Sequence, residues 1–258
     1  MIRNILIMML FTYSGLFAQQ KWHGFKIKEF EFDGAKAKIV FPHNADEKKN
    51  WIWRARFWDH EPQVDIALLE NGFHLVYIDV SDLYGSPKAV NRWDKFYIYI
   101  RRQFQLNKKV SLEGLSRGGI IVYNWSFKNI DKVACIYADA PVLDIKSWPG
   151  GKGKSPGSKG DWEKCLKAYG LTEETVKEFN GIPLNYSEKF ANSKIPIIHV
   201  CGLDDALVPI EENTYLFKKK LEKAGGHMEL IGKEGVGHHP HSLKDPTPIV
   251  SFILKNTQ

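Results

Sequence analysis

Residues 112–119 read Leu-Glu-Gly-Leu-Ser-Arg-Gly-Gly, and the spacing Gly114-x-Ser116-x-Gly118 is one that nucleophilic chemistry requires. A serine that attacks a carbonyl projects its hydroxyl from a strained strand-to-helix turn, which closes only when small residues stand two before and two after it. Lys109 to Leu115 reads as a short buried strand and Ile120 to Phe127 as the helix behind it. A serine hydroxyl is a weak nucleophile at neutral pH, so a base, and a carboxylate to orient that base, must come from elsewhere in the chain.

Candidates for both lie further along. Glu234-Gly-Val-Gly-His-His239 places His238 on a glycine-rich loop before the last helical segment, and an imidazole titrates near neutrality. A strand from Ile195 leads to Gly202, and the pattern Gly202-x-x-Asp205-x-x-Val208-Pro209 favours Asp205 as the orienting acid over its neighbour Asp204. Asp139, after the strand Val133 to Ala138, is a second candidate acid. His239 and His241 line the pocket or face water. The His-His-x-His run lacks the His-x-x-x-His spacing that puts two ligands on one helix face, so neither a metal nor another cofactor is expected. The N–H of Arg117 supplies half of an oxyanion hole, and Arg54, within Trp53 to Phe57, is the candidate for the other half.

These residues need a scaffold. Phe25 to Phe32 and Ala35 to Phe41 alternate as half-buried strands around Asp33-Gly34, and Trp51 to Phe57 and His74 to Val80 follow as further strands. A helix spans Gln63 to Glu70 and stops at Asn71-Gly72. Ser86-Pro87 opens a longer helix, serine as N-cap, with Val90, Trp93, Tyr97, Ile100 and Phe104 on one face. Strands alternating with helices predict a parallel sheet covered on both faces.

The chain order Ser, Asp, His with these flanks resembles the α/β-hydrolase superfamily from about Phe25 to Leu254. The resemblance implies a mostly parallel sheet of about eight strands. It also implies that residues 142–192 form a small cap insertion over the serine.

Residues 1–18 carry one basic residue, a short apolar run and Ala18, the pattern of a secretory signal peptide cleaved after Ala18. The expected product is one domain over 19–258, secreted or periplasmic, with no membrane span. Three cysteines on no elbow read as free thiols. A net charge of +6, spread along the chain without aromatic interleaving, gives no signal for nucleic-acid binding.

Trp51-Ile52-Trp53 and Ser147-Trp148-Pro149 offer flat rings that stack on sugars, which makes Trp53, Trp148 and His239 candidate substrate contacts. Gly-Leu-Ser-Arg-Gly-Gly is similar to the elbow of glucuronoyl esterases, where the arginine helps hold the oxyanion, although the lysine expected nearby is missing here. The chain also resembles the small exported esterases that Bacteroidota direct at polysaccharides. These resemblances imply a secreted carboxylic-ester hydrolase that removes acetyl or methyl esters from polysaccharide or oligosaccharide through an acyl-enzyme. Two alternatives stand beside it: a serine exopeptidase of prolyl-oligopeptidase type lacking a propeller, and an inactive binding protein on the same fold.

Overall fold

The computed structural model describes residues 20–257, so the expected leader at 1–18 lies outside the described residues. The strands are β1 (Lys21–Trp22), β2 (Phe25–Phe32), β3 (Ala35–Phe41), β4 (Trp51–Arg54), β5 (His74–Ile78), β6 (Val110–Leu115), β7 (Val133–Asp139), β8 (Ile197–Gly202) and β9 (Glu229–Lys233). They form one sheet in the order β1-β2-β3-β5-β4-β6-β7-β8-β9. The first three run antiparallel to their neighbours, while β5, β4, β6, β7, β8 and β9 are mutually parallel. The sheet thus has nine strands rather than about eight. The extra one, β1, is a two-residue edge strand too short to show a pattern.

The helices are α1 (Gln63–Glu70), α2 (Pro87–Phe104), α3 (Gly118–Lys128), α4 (Lys159–Tyr169), α5 (Ser187–Ser193), α6 (Thr214–Lys223) and α7 (Thr247–Lys255). Strand side chains alternate between faces, so each strand contributes to two cores. Trp51 and Trp53 of β4, with Val76 and Ile78 of β5, pack with α2, α3, α5 and α6. Ile52 and Leu75, one residue out of step, pack with α1 and α7 on the opposite face. Asp33 and Gly34 both have positive φ, 52° and 70°, as the tight β2–β3 hairpin demands.

Three expectations are corrected by this arrangement. Trp53 is fully buried, stacked on Trp93 at 3.9 Å and edge-on to Trp125 at 5.5 Å, so it is core and not a substrate contact. The strand expected over Trp51 to Phe57, β4, ends at Arg54, and the residues after it form a loop with φ of 52° at Phe57, 66° at Asp59 and 50° at Glu61. Ser86 stands at the N-cap of α2, but its buried hydroxyl makes no capping hydrogen bond; Pro87 at the first helical position fixes the entry instead.

Residues 142–192, between β7 and β8, begin as irregular chain and continue as α4, short 3₁₀ turns and α5. Ser158 caps α4 by accepting from the Asp161 N–H. Among the described residues, no helix is long and apolar enough to cross a membrane. All three cysteines are buried free thiols.

Candidate active site

In an open parallel sheet, ligands meet the carboxyl ends of the strands. The loops after β4, β6, β7, β8 and β9 all leave from that end and carry the candidate residues. Ser116 follows β6 directly and has φ of +50°, the strained left-handed turn of a nucleophile elbow. A Cβ on Gly114 would lie 2.9 Å from Val122 Cγ2 and 3.0 Å from the Gly118 carbonyl, so α3 packs this closely onto β6 only with glycine there. The Ser116 N–H donates to the Asp139 carbonyl at 2.8 Å, fixing the turn to the end of β7.

His238 reaches the serine from the loop after β9. The Ser116 hydroxyl donates to His238 Nε2 at 2.9 Å, and His238 Nδ1–H donates to Asp205 Oδ2 at 2.7 Å. The other Asp205 oxygen accepts from the N–H groups of Leu207 at 2.9 Å and Val208 at 2.8 Å, so the carboxylate has no freedom to turn away. Asp204, its neighbour, is exposed. A Cβ on Gly202 would lie 2.0 Å from the Gly237 carbonyl, which is why the Gly-x-x-Asp pattern starts with glycine: the histidine loop crosses there.

Asp139 does not reach His238. Its buried carboxylate instead accepts from His241 Nδ1–H at 2.8 Å, the Ser242 N–H at 2.7 Å and the Tyr137 hydroxyl at 3.0 Å. Lys233 Nζ donates to the carbonyls of Pro240 at 2.5 Å and Ser242 at 3.1 Å. Together Asp139 and Lys233 pin the segment just after His238.

Arg54 is the clearest correction at the site. Its N–H lies within the β4 ladder and its guanidinium is fully buried, bound to Asp65 and, at 3.0 Å, to Glu113, so no part of it faces an oxyanion. The same guanidinium donates to the carbonyls of Arg56 at 3.2 Å and Phe57 at 3.1 Å, and to that of His60. Arg54 therefore holds the 55–61 loop in shape. Burial pushes the Glu113 carboxyl well above the usual carboxylate range; the Arg54 charge opposes the shift and Asp65 reinforces it. The Ala55 N–H donates to the Glu113 carbonyl at 2.9 Å. Among the described residues the N–H groups of Arg117 and Phe57 have no protein acceptor, and both residues line the pocket that contains Ser116.

That pocket encloses about 370 Å³, and its walls include Phe57, Trp58, Trp148 and Leu207. Trp148 and His239 both border it. The Arg117 guanidinium lies 4.9 Å from the Trp148 ring and is held by Asp161 of α4 at 2.7 Å. The Tyr84 hydroxyl also donates to Asp161, at 2.5 Å. His60 and His241 complete the rim, and the rings of His238, His239 and His241 lie 4.7–4.9 Å apart. Burial, followed by the neighbouring imidazoles, pushes His239 below its ordinary pKa. His60 and Asp161 carry no local sequence signal; both arrive from distant segments.

No protein-family model matches the chain, and no curated protein matches it. Solved structures do. Acylaminoacyl peptidase of Pyrococcus horikoshii superposes with a TM-score of 0.62 at 16% identity over 83% of this chain and 37% of its own. Dipeptidyl peptidase 4 of Porphyromonas gingivalis gives 0.67 at 14% identity over 90% and 35%. A puromycin-hydrolyzing peptidase of Mycobacterium tuberculosis gives 0.66 at 13% identity over 89% and 38%. The chain thus spans little more than a third of the length of these neighbours, and at such identities the likeness concerns architecture alone: the chain has the α/β-hydrolase fold.

Proposed function

We propose that the chain is a serine hydrolase that transfers an acyl group to water through Ser116. The observation that carries this reading is the unbroken hydrogen-bonded series from Ser116 through His238 to Asp205. Ser116 Oγ attacks the substrate carbonyl carbon while its proton passes to His238 Nε2, and Asp205 stabilises the imidazolium that forms. The carbonyl oxygen takes up negative charge facing the Arg117 N–H, with the Phe57 N–H as the second donor. Collapse of the tetrahedral intermediate expels the leaving group, which takes the proton from His238. Water then repeats the sequence on the acyl-enzyme and frees Ser116.

As substrate we propose the acyl side of a short peptide or aminoacyl amide with an apolar residue, which makes the chain a serine exopeptidase in type. Two observations support this choice over a polysaccharide ester. The neighbours in fold are peptidases, one of them in complex with a Z-Gly-Gly-Phe chloromethyl ketone. The aromatic argument for sugar also weakens, because Trp51 and Trp53 are core, which leaves Trp148 and the neighbouring Trp58 at the pocket. The aromatic and aliphatic walls suit an apolar side chain.

A panel of phenylalanyl, leucyl and alanyl 4-nitroanilides, free and N-acylated, beside acetylated xylan and methyl-esterified pectin tests the proposal. The expected result is release of nitroaniline, fastest with the phenylalanyl or leucyl compounds. Turnover of the polysaccharide esters with no amide cleavage contradicts it.

A further inference from the structure

Beside Ser116, three histidines from two distant loops converge. His60 comes from the loop after β4, and His239 and His241 from the loop after β9; one ring nitrogen of each lies within 4.8 Å of the others. We propose that His60, His239 and His241 form a site for a divalent transition-metal ion of the zinc class at the rim of the Ser116 pocket, and that filling it slows turnover.

The donor set is three imidazoles, which suits zinc, copper or nickel better than calcium or magnesium. Tetrahedral zinc with Zn–N near ~2.0–2.1 Å requires nitrogen separations of about 3.4 Å. Closing from 4.8 Å takes up to about 1.4 Å of movement, and the side chains of His60 and His239 are on exposed positions free to make it. His241 is already set. Its Nδ1–H donates to the buried Asp139 carboxylate at 2.8 Å, which fixes the tautomer and leaves Nε2 as the ligating atom. A carboxylate behind a histidine in this way is the usual support for a metal-bound imidazole. Glu61 binds the His241 N–H at 2.5 Å and lies 3.5 Å from His60 Nε2, tying the two loops together.

Three protein ligands leave a fourth position open. The His238 ring lies 4.9 Å from both His239 and His241, so a dication held by these two stands next to the proposed general base. An ion there, with its fourth ligand, occupies the rim of the Ser116 pocket and obstructs the approach of substrate. The braking effect rests on the serine-hydrolase reading, whereas binding does not.

Zinc titration of the untagged full chain by calorimetry, with cobalt(II) absorption to report geometry, separates the two. The expected result is one ion per chain with tetrahedral cobalt bands, weakened at least about tenfold in His60→Gln and His241→Gln. His227→Gln, at an exposed histidine outside the cluster, retains it. Absence of saturable binding, or binding unchanged in His60→Gln, overturns the site. In parallel, zinc slows hydrolysis of p-nitrophenyl acetate by the wild type and EDTA restores it, while His60→Gln resists the added zinc. Equal inhibition of His60→Gln places zinc on the relay itself and overturns the brake. A wild type without any hydrolysis overturns the brake together with the hydrolase reading, and calorimetry still decides the site.

Discussion

The Arg117 guanidinium and the Asp161 carboxylate lie 2.7 Å apart, which links the residue after Ser116 to the first helix of the 142–192 segment. Hydrogen bonds from Tyr84 and Ser158 add to the Arg117 charge and, against the effect of burial, hold the Asp161 carboxyl below its ordinary pKa. The acid is therefore ionised across the neutral range and keeps Arg117 aimed along the Trp148 wall. A double-mutant cycle on Arg117→Ala and Asp161→Ala should give a coupling of about 1 kcal/mol in stability, modest because both side chains are partly exposed. Each single variant should raise KM more than it lowers kcat. An equal loss of kcat in both would assign the guanidinium to the transition state instead.

The three carboxylates near the site should separate by kinetics. Asp205→Asn lowers kcat by about 10⁴-fold, because the amide no longer holds the imidazole in the right tautomer. Asp204→Asn changes little. Asp139→Asn leaves the relay intact but loosens the 239–242 segment, so its main effect is a stability loss of about 2 kcal/mol. Chemical denaturation beside steady-state kinetics reads all three.

Among the described residues, Arg54 is the one positive charge paired with the buried carboxylates of Asp65 and Glu113. Arg54→Met should destabilise the fold by about 3 kcal/mol or more, since it strands those carboxylates without a counter-charge. Denaturant midpoints measure this. A stable variant with only a kinetic defect would restore Arg54 to the oxyanion hole.

His199 of β8 is buried beneath Tyr123 and Thr214, and burial pushes its pKa down from 6.5 to about 3. The folded chain keeps this ring neutral while the unfolded chain protonates it. Its contribution is therefore complete above pH 6.5 and is lost as pH falls toward about 3. His199→Gln should lower stability at neutral pH but flatten its acid dependence over that window. Melting curves from pH 7 to pH 4 in both proteins test the slope.

Some of this architecture was legible in the chain, for local reasons. Alternation marks Phe25–Phe32 and Ala35–Phe41, and Asn71-Gly72 ends α1, because hairpins and helix stops are written in neighbouring residues. The grouping of Ser116, Asp205 and His238 follows likewise from glycines that each turn or crossing needs. Trp53 misled because a strand buried on both faces has no polar side, so a tryptophan there reads the same in core or pocket. The partners of Arg54, 11 and 59 residues away, are joined to it only by the fold. His60 reaches His241 in the same way, which is why spacing within the His-His-x-His run gave no metal expectation.

The central claim is that Ser116 is the nucleophile, and active-site labelling tests it most directly. A serine-directed fluorophosphonate should modify the wild type once, at Ser116 by peptide mass mapping, and leave Ser116→Ala unlabelled. Turnover in that variant should fall by about 10⁴-fold or more with the melting temperature little changed. Labelling that persists in Ser116→Ala, or turnover that survives there, would contradict the account.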